Sequence, residues 1–256
     1  MNDTPGAAQA RHAVVTGGGS GIGLAIAQHL HRQGSVVTIM GRGEARLKAA
    51  ADASGFGYAV CDVTDDASTA QAFAQAVDAH GPIDVLVNNA GGVKTAPFGK
   101  LSLDDWQSAL NLNLLGTIRC INAVLPAMRE RGWGRVVNIG STAGLKGYAY
   151  VTAYTAAKHG VVGLTRALAL ELATTGVTIN AICPGYADTD IIRDAVTTIA
   201  EKTGRSEDEA LKTFTKTNPQ GRLVQPAEVA AATAWLASDA AAAVTGIALP
   251  IAGGEV

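Results

Sequence analysis

One junction near the start of the chain constrains its fold more than anything else in the sequence. The run Ala13-Val14-Val15-Thr16 passes through Gly17-Gly18-Gly19-Ser20-Gly21-Ile22-Gly23 into Leu24 to Gln33, where apolar residues recur at helical spacing. A strand turning into a helix over residues without side chains leaves the first amide N–H groups of that helix uncovered. Such groups, backed by the helix dipole, attract phosphate. A bare tight turn uses glycine for the same steric reason, so the junction takes its meaning from the rest of the chain.

The same alternation continues. Strands are predicted over 35–40, 57–61, 83–87, 135–139, 177–182 and 246–251. Helices are predicted over 44–53, 67–80, two patterns within 103–131, 154–174 and 226–237. Strands alternating with long helices imply an α/β protein of the Rossmann type: a doubly wound, mostly parallel sheet with helices on both faces. Hydrophobic residues make up 48% of the 256 and charged residues 16%, enough apolar material for one full core. The expectation is therefore a single domain over 11–256, preceded by a flexible arm at 1–10. A polar segment at 188–220, carrying Glu201-Lys202 and Glu207 to Glu209, interrupts the pattern and reads as a substrate lid.

Charge excludes several classes of partner. Lys and Arg number 20 against 22 Asp and Glu, a net charge of -2, and basic residues form no long run. That balance speaks against a nucleic-acid groove or a polybasic membrane patch. Cys61, Cys120 and Cys183 are too widely spaced for a zinc knuckle or a disulfide framework, so no metal is expected and a cytoplasmic location fits. No uninterrupted apolar run is long enough to span a bilayer.

Further along, the strand ends add candidate ligands. Arg42 follows the second strand where a carboxylate would select NAD, so the sequence leans toward NADP, whose 2'-phosphate an arginine can meet. Ser20 supplies no second positive charge, which keeps NAD possible. Asp62 after the third strand can accept from an adenine amine or open a turn with Thr64. Asn88-Asn89-Ala90-Gly91 after the fourth permits tight backbone beside a ligand, or a purely structural turn. Tyr154 and Lys158, four apart, share one helical face. A nearby ammonium favours the phenolate, which would suit Tyr154 to exchange protons with a carbonyl or alcohol oxygen held by Ser141.

Taken together, Thr16-Gly17-x3-Gly21-Ile22-Gly23, Asn88-Asn89-Ala90-Gly91, Ser141, Tyr154-x3-Lys158 and Pro184-Gly185-x3-Thr189 resemble, in order and along the whole chain, the classical short-chain dehydrogenase/reductase family. The resemblance implies catalytic roles for Asn113, Ser141, Tyr154 and Lys158, with Asn113 supporting a water that links the lysine to solvent. It implies cofactor contacts from Gly17, Ser20, Gly21, Ile22, Gly23, Arg42, Asp62, Val63, Asn89, Ala90, Gly91, Tyr154, Lys158, Pro184, Gly185 and Thr189, the last near the nicotinamide carboxamide. Ser141-Thr142-Ala143-Gly144, Lys158 to Gly163 and Pro219-Gln220-Gly221-Arg222 look like those of 3-oxoacyl thioester reductases, including aromatic polyketide ketoreductases. An NADP-dependent ketone reductase is thus expected, with an NAD-dependent dehydrogenase of a small secondary alcohol as the alternative. Family members of this kind are commonly homotetramers. His159, offset from the Tyr154 face, is expected to be structural.

Overall fold

The computed structural model describes residues 10–256; the arm expected at 1–10 lies outside the described residues except for Ala10. Seven strands form one sheet: β1 (His12–Thr16), β2 (Val36–Gly41), β3 (Gly57–Val60), β4 (Val85–Asn88), β5 (Gly134–Ile139), β6 (Val177–Pro184) and β7 (Ala248–Ile251). Their order is β3-β2-β1-β4-β5-β6-β7 and every pairing is parallel, where the alternation predicts a mostly parallel sheet. Nine α-helices accompany them among the described residues: α1 (Gly21–Arg32), α2 (Glu44–Ser54), α3 (Asp66–His80), α4 (Leu103–Leu110), α5 (Gly116–Arg131), α6 (Thr152–Leu172), α7 (Asp190–Thr203), α8 (Glu207–Thr215) and α9 (Pro226–Leu236).

Parallel strands covered on both faces are buried along their length and read as near-continuous apolar runs. All five residues of β1 and all eight of β6 are buried. Alternation then sorts them between layers. Ala13 and Val15 join Ile26, Leu47 and Val229 from α1, α2 and α9, whereas Val14 joins Phe73, Ile121 and Leu172 from α3, α5 and α6. β1 pairs with β2 on one side and β4 on the other, so strand order reverses there and a crevice opens at the carboxyl ends of β1 and β4.

Several boundaries differ from the sequence reading. The third strand stops at Val60, before Cys61, and the fourth starts at Val85, two residues after Ile83. The last begins at Ala248 because Gly246 takes φ 79°, outside strand geometry. Helix α6 starts at Thr152, so Tyr154 and Lys158 both lie inside it. The 188–220 segment is more regular than its polarity suggests: Gly204, at φ 70°, closes α7, and a Ser206–Glu209 capping box opens α8. Val196 and Ala210 are its buried anchors.

The edge strand β7 carries Pro250. Ile247 and Ile251 turn their carbonyls to β6, so Pro250, which has no amide hydrogen, lies on the free edge.

Candidate active site

At the glycine junction Gly17 and Gly21 take φ of 65° and 54°, the left-handed region that only glycine enters without cost. A Cβ on Gly23 would lie 2.3 Å from the Gly17 carbonyl oxygen, so that position admits no side chain. Ser20 precedes α1 at its N-cap, yet its hydroxyl caps nothing, and the first turn holds no acidic residue. Ile22 packs toward the core. A clasp ties this loop to the next: Asn89 Nδ2 donates to the carbonyls of Thr16 (3.0 Å) and Gly17 (3.1 Å). The Thr16 hydroxyl oxygen accepts from the backbone N–H of Asn89 and of Ala90, both at 3.0 Å. Asn88 turns the other way and donates to Asn138, which donates to Thr165. Both amides of the Asn88-Asn89 pair therefore serve the scaffold.

The crevice continues past the end of β2. Arg42 is exposed there and makes no hydrogen bond or ion pair among the described residues. Asp62 lies across from it. Its Oδ1 accepts from Thr64 N (2.9 Å) and Thr64 Oγ1 (2.7 Å), and these bonds, followed by the Arg42 charge, hold its carboxyl below the usual range. Asp62 thus makes the turn with Thr64 while Oδ2 meets no partner among the described residues. Val63 is buried against Gly116, where a Cβ would come within 2.9 Å of Val63 Cγ2.

At the other end, Ser141 follows β5 and caps a short turn through Ala143 N (3.1 Å). Tyr154 and Lys158 project from α6 toward it; the lysine Nζ lies 5.6 Å from the Tyr154 ring centre and donates to the Ile139 carbonyl at 2.7 Å. Burial lowers Lys158 to about 8. The expectation for Tyr154 is corrected here: burial pushes its phenol up, only partly opposed by the neighbouring Ser141 hydroxyl. Desolvation outweighs any pull from the lysine, so the phenol holds its proton at neutral pH.

Asn113 sits in a π-helical turn, Asn111–Leu115, between α4 and α5, a distortion common at functional sites. Its side chain accepts from Gly92 N (3.1 Å) and donates to the carbonyls of Gly92 (2.9 Å) and Ala109 (3.0 Å). Gly91 is the spacer between Asn113 and the lysine: a Cβ there would stand 2.8 Å from Asn113 Oδ1 and 3.8 Å from Lys158 Nζ. Pro184 ends β6, Gly185 follows, and Thr189 precedes α7 with its methyl group 3.2 Å from where a Gly21 Cβ would be. His159 is exposed, with Nδ1 on the Thr155 carbonyl at 2.9 Å, a local bond on its own helix.

One cavity of about 1870 Å³ joins these groups, from Arg42 and Asp62 past Gly17 and Gly91 to Ser141, Tyr154 and Lys158. Its far wall was not foreseen: Tyr148, Tyr186 and Phe214 meet edge to face, with ring centres 6.4 and 5.2 Å apart. Two of these rings lie in loops and the third on α8, far apart along the chain, so only folding reveals that they share a wall. Among the described residues no cluster of His, Cys, Asp and Glu could hold a metal ion.

A glycine-bounded crevice at the switch point of a parallel sheet, leading to a half-buried Ser and Tyr and a buried Lys, defines an oxidoreductase class. The chain belongs to the short-chain dehydrogenase family, whose model matches residues 11–200. Among its relatives is a Streptomyces coelicolor protein provisionally named a ketoacyl reductase, 43% identical over 94% of this chain and 95% of that protein. An acetoacetyl-CoA reductase from Rhizobium meliloti is 39% identical, covering 96% and 98% respectively. An actinorhodin polyketide ketoreductase variant crystallised with NADPH matches with a TM-score of 0.91, 41% identity and coverage of 96% and 97%.

Proposed function

We propose that this protein is an NADP-dependent reductase that converts a ketone, a 3-oxoacyl thioester or a polyketide-like carbonyl, into a secondary alcohol. The observation that carries this reading is the placement of Ser141, Tyr154 and Lys158 at the inner end of the cavity that begins at the glycine junction. The likeness to reductases of ketoacyl groups supports the substrate class.

The residues fit a dinucleotide on structural grounds. Gly17, Gly21 and Gly23 leave room where any Cβ would collide or strain, and the α1 N-terminus carries uncapped N–H groups that suit a pyrophosphate. Ser20, Ile22, Asn89, Ala90 and Gly91 border that cradle. Arg42 would meet the 2'-phosphate, Asp62 and Val63 the adenine, and Pro184, Gly185 and Thr189 the nicotinamide end. Lys158 and Tyr154 would hold the nicotinamide ribose. When bound, the nicotinamide supplies the hydride.

The chain's own residues do the rest. Ser141 holds the carbonyl oxygen by hydrogen bonding. Tyr154, kept protonated by burial, donates its proton to that oxygen as it becomes an alcohol. Lys158, titrating near 8, places an ammonium beside the phenol and stabilises the phenolate left behind. Asn113, locked in its π turn, supports the water that returns a proton toward Lys158. Helices α7 and α8 serve as the substrate lid of a single catalytic domain over 11–256, working in the cytoplasm as a homotetramer; the 81% exposed Leu170 on α6 is one residue such an assembly would cover.

The test is the initial rate with an acetoacetyl thioester, comparing NADPH and NADH. Turnover favouring NADPH is the expected result. Absence of turnover with either, alongside oxidation of a small secondary alcohol with NAD, would replace this reading with the dehydrogenase one.

A further inference from the structure

The turn at Gly253 and Gly254 packs against residues that hold the aromatic wall. Gly253 and Gly254 take φ of 61° and 93°, and a Cβ on Gly253 would overlap Asn218 Oδ1 at 2.0 Å. That turn seats Glu255 among three segments. Its side chain, 2% exposed, accepts from the Tyr148 hydroxyl at 2.5 Å and pairs with Lys146 Nζ at 3.2 Å. Lys146 also donates to the Glu255 carbonyl at 3.2 Å. Oε2 faces Gly185, where a Cβ would stand 3.2 Å away. A phenol has one proton, so with Glu255 accepting it the Thr142 hydroxyl, 2.7 Å from the Tyr148 oxygen, is the donor in that second bond.

Glu255 thereby joins the loop after β5, the residue before Tyr186, and, through the Gly253 turn, Asn218 at the end of the 188–220 segment. All three segments contribute residues to the cavity lining. Tyr148 is both the residue Glu255 grips and the first ring of the Tyr148–Tyr186–Phe214 wall. The three rings line the cavity together, and an aromatic lining can receive another flat ring edge to face or offset-stacked.

We propose that Glu255 is a positioning residue that fixes Tyr148 and so shapes the aromatic wall into a platform for planar, ring-bearing ketones. This rests on the ketone-reductase reading above. The reaction itself stays with Tyr154; Glu255 acts on the fit of the part of the substrate away from the carbonyl.

The experiment compares wild type, Glu255→Ala, Glu255→Gln, Tyr148→Phe and the Glu255→Ala/Tyr148→Phe pair with NADPH. The probes are β-tetralone, a bicyclic aryl ketone, and an acetoacetyl thioester. Loss of the charge-assisted bond in Glu255→Ala is expected to raise KM for β-tetralone about tenfold and to change kcat less. KM for the thioester should rise less than about threefold, since a short acyl chain does not reach the wall. Glu255→Gln, which keeps an acceptor for the phenol, should recover most of the loss. Tyr148→Phe should reproduce it, and the pair should add nothing further, because both changes break one contact. Equal effects on the two ketones, additive effects, or a Gln variant as impaired as Ala would overturn the proposal. Saturation-transfer NMR of β-tetralone on the protein with NADPH supplies an arm without turnover. If wild type reduces no ketone, the reductase reading fails; weakened ring signals in Tyr148→Phe and Glu255→Ala would still support the wall, and unchanged signals would overturn it. If Glu255→Ala does not fold, Glu255→Gln and Tyr148→Phe decide the matter.

Discussion

The two ends of the parallel sheet are built from the same strands and treat their polar groups in opposite ways. At the carboxyl end, Ser20, Arg42, Asp62 Oδ2 and Tyr154 border an open cavity, and their bonding capacity is partly unused. At the amino end, polar groups close on one another. His12 opens β1 with Nδ1 on the Gly81 carbonyl (2.9 Å), Nε2 on Thr38 Oγ1 (2.9 Å) and its backbone N–H on Asp84 (3.0 Å). Arg135, buried in β5, donates to the carbonyls of Gly134 (2.9 Å), Gly176 (3.2 Å) and Ser238 (3.4 Å). Trp133 lies between the guanidinium groups of Arg11 and Arg135, at 4.0 and 4.4 Å, with Asp239 binding all three. A buried polar group that meets its bonding needs internally stabilises; one left open can serve a ligand. One end is thus a fastening and the other a site, and substitutions should separate them.

The largest expected effect belongs to the open end. Tyr154→Phe should lower kcat by about a thousandfold, the usual scale for a lost general acid, while the melting temperature stays close to wild type. If kcat survives, Tyr154 is no proton donor. At the closed end, Arg135→Met should show the converse. Three carbonyls lose their donor, which costs about 1–3 kcal/mol, read by urea denaturation, with kcat/KM changed less than about twofold at such a distance. Strong loss of activity at unchanged stability would erase the division between the ends.

Arg42→Ala should weaken NADPH by about tenfold, roughly the loss of one charge-assisted contact, and leave NADH unchanged; calorimetric titration with each nucleotide checks it. Smallest is the effect of pH on His12. Burial lowers its pKa below the ordinary 6.5, so the unfolded chain binds the proton first. The stabilisation from a neutral His12 is complete above about 6.5 and is lost as pH falls below it. His12→Gln should flatten the decline in stability between about pH 7 and 5. An unchanged slope would assign that titration elsewhere.

The strands and the parallel character of the sheet were accessible from sequence because buried parallel strands write themselves as β-branched runs, and β1, β5 and β6 are of this kind; the order of the strands came with the structure. So was the grouping of Gly17, Asn89, Ser141, Tyr154 and Lys158, since each lies at or just beyond a strand's carboxyl end or early in the helix that follows. What escaped depends on distances along the chain too long for any local pattern. Glu255 lies 107 positions from Tyr148, and Phe214 joins Tyr186 only because α8 folds back. The direction of the Tyr154 shift escaped for a different reason. Spacing reports which residues are neighbours, whereas the balance of charge against desolvation depends on depth, which only the packed structure supplies.

Pro250 has a consequence for growth of the sheet. Strand β7 is an edge, and an edge with free N–H groups invites another strand to continue it. At Pro250 the edge offers an acceptor and no donor, so a strand added there would find a gap in the ladder. A partner meeting that edge at Pro250 would therefore have to be held by side chains and helix surfaces, because the backbone ladder is interrupted there.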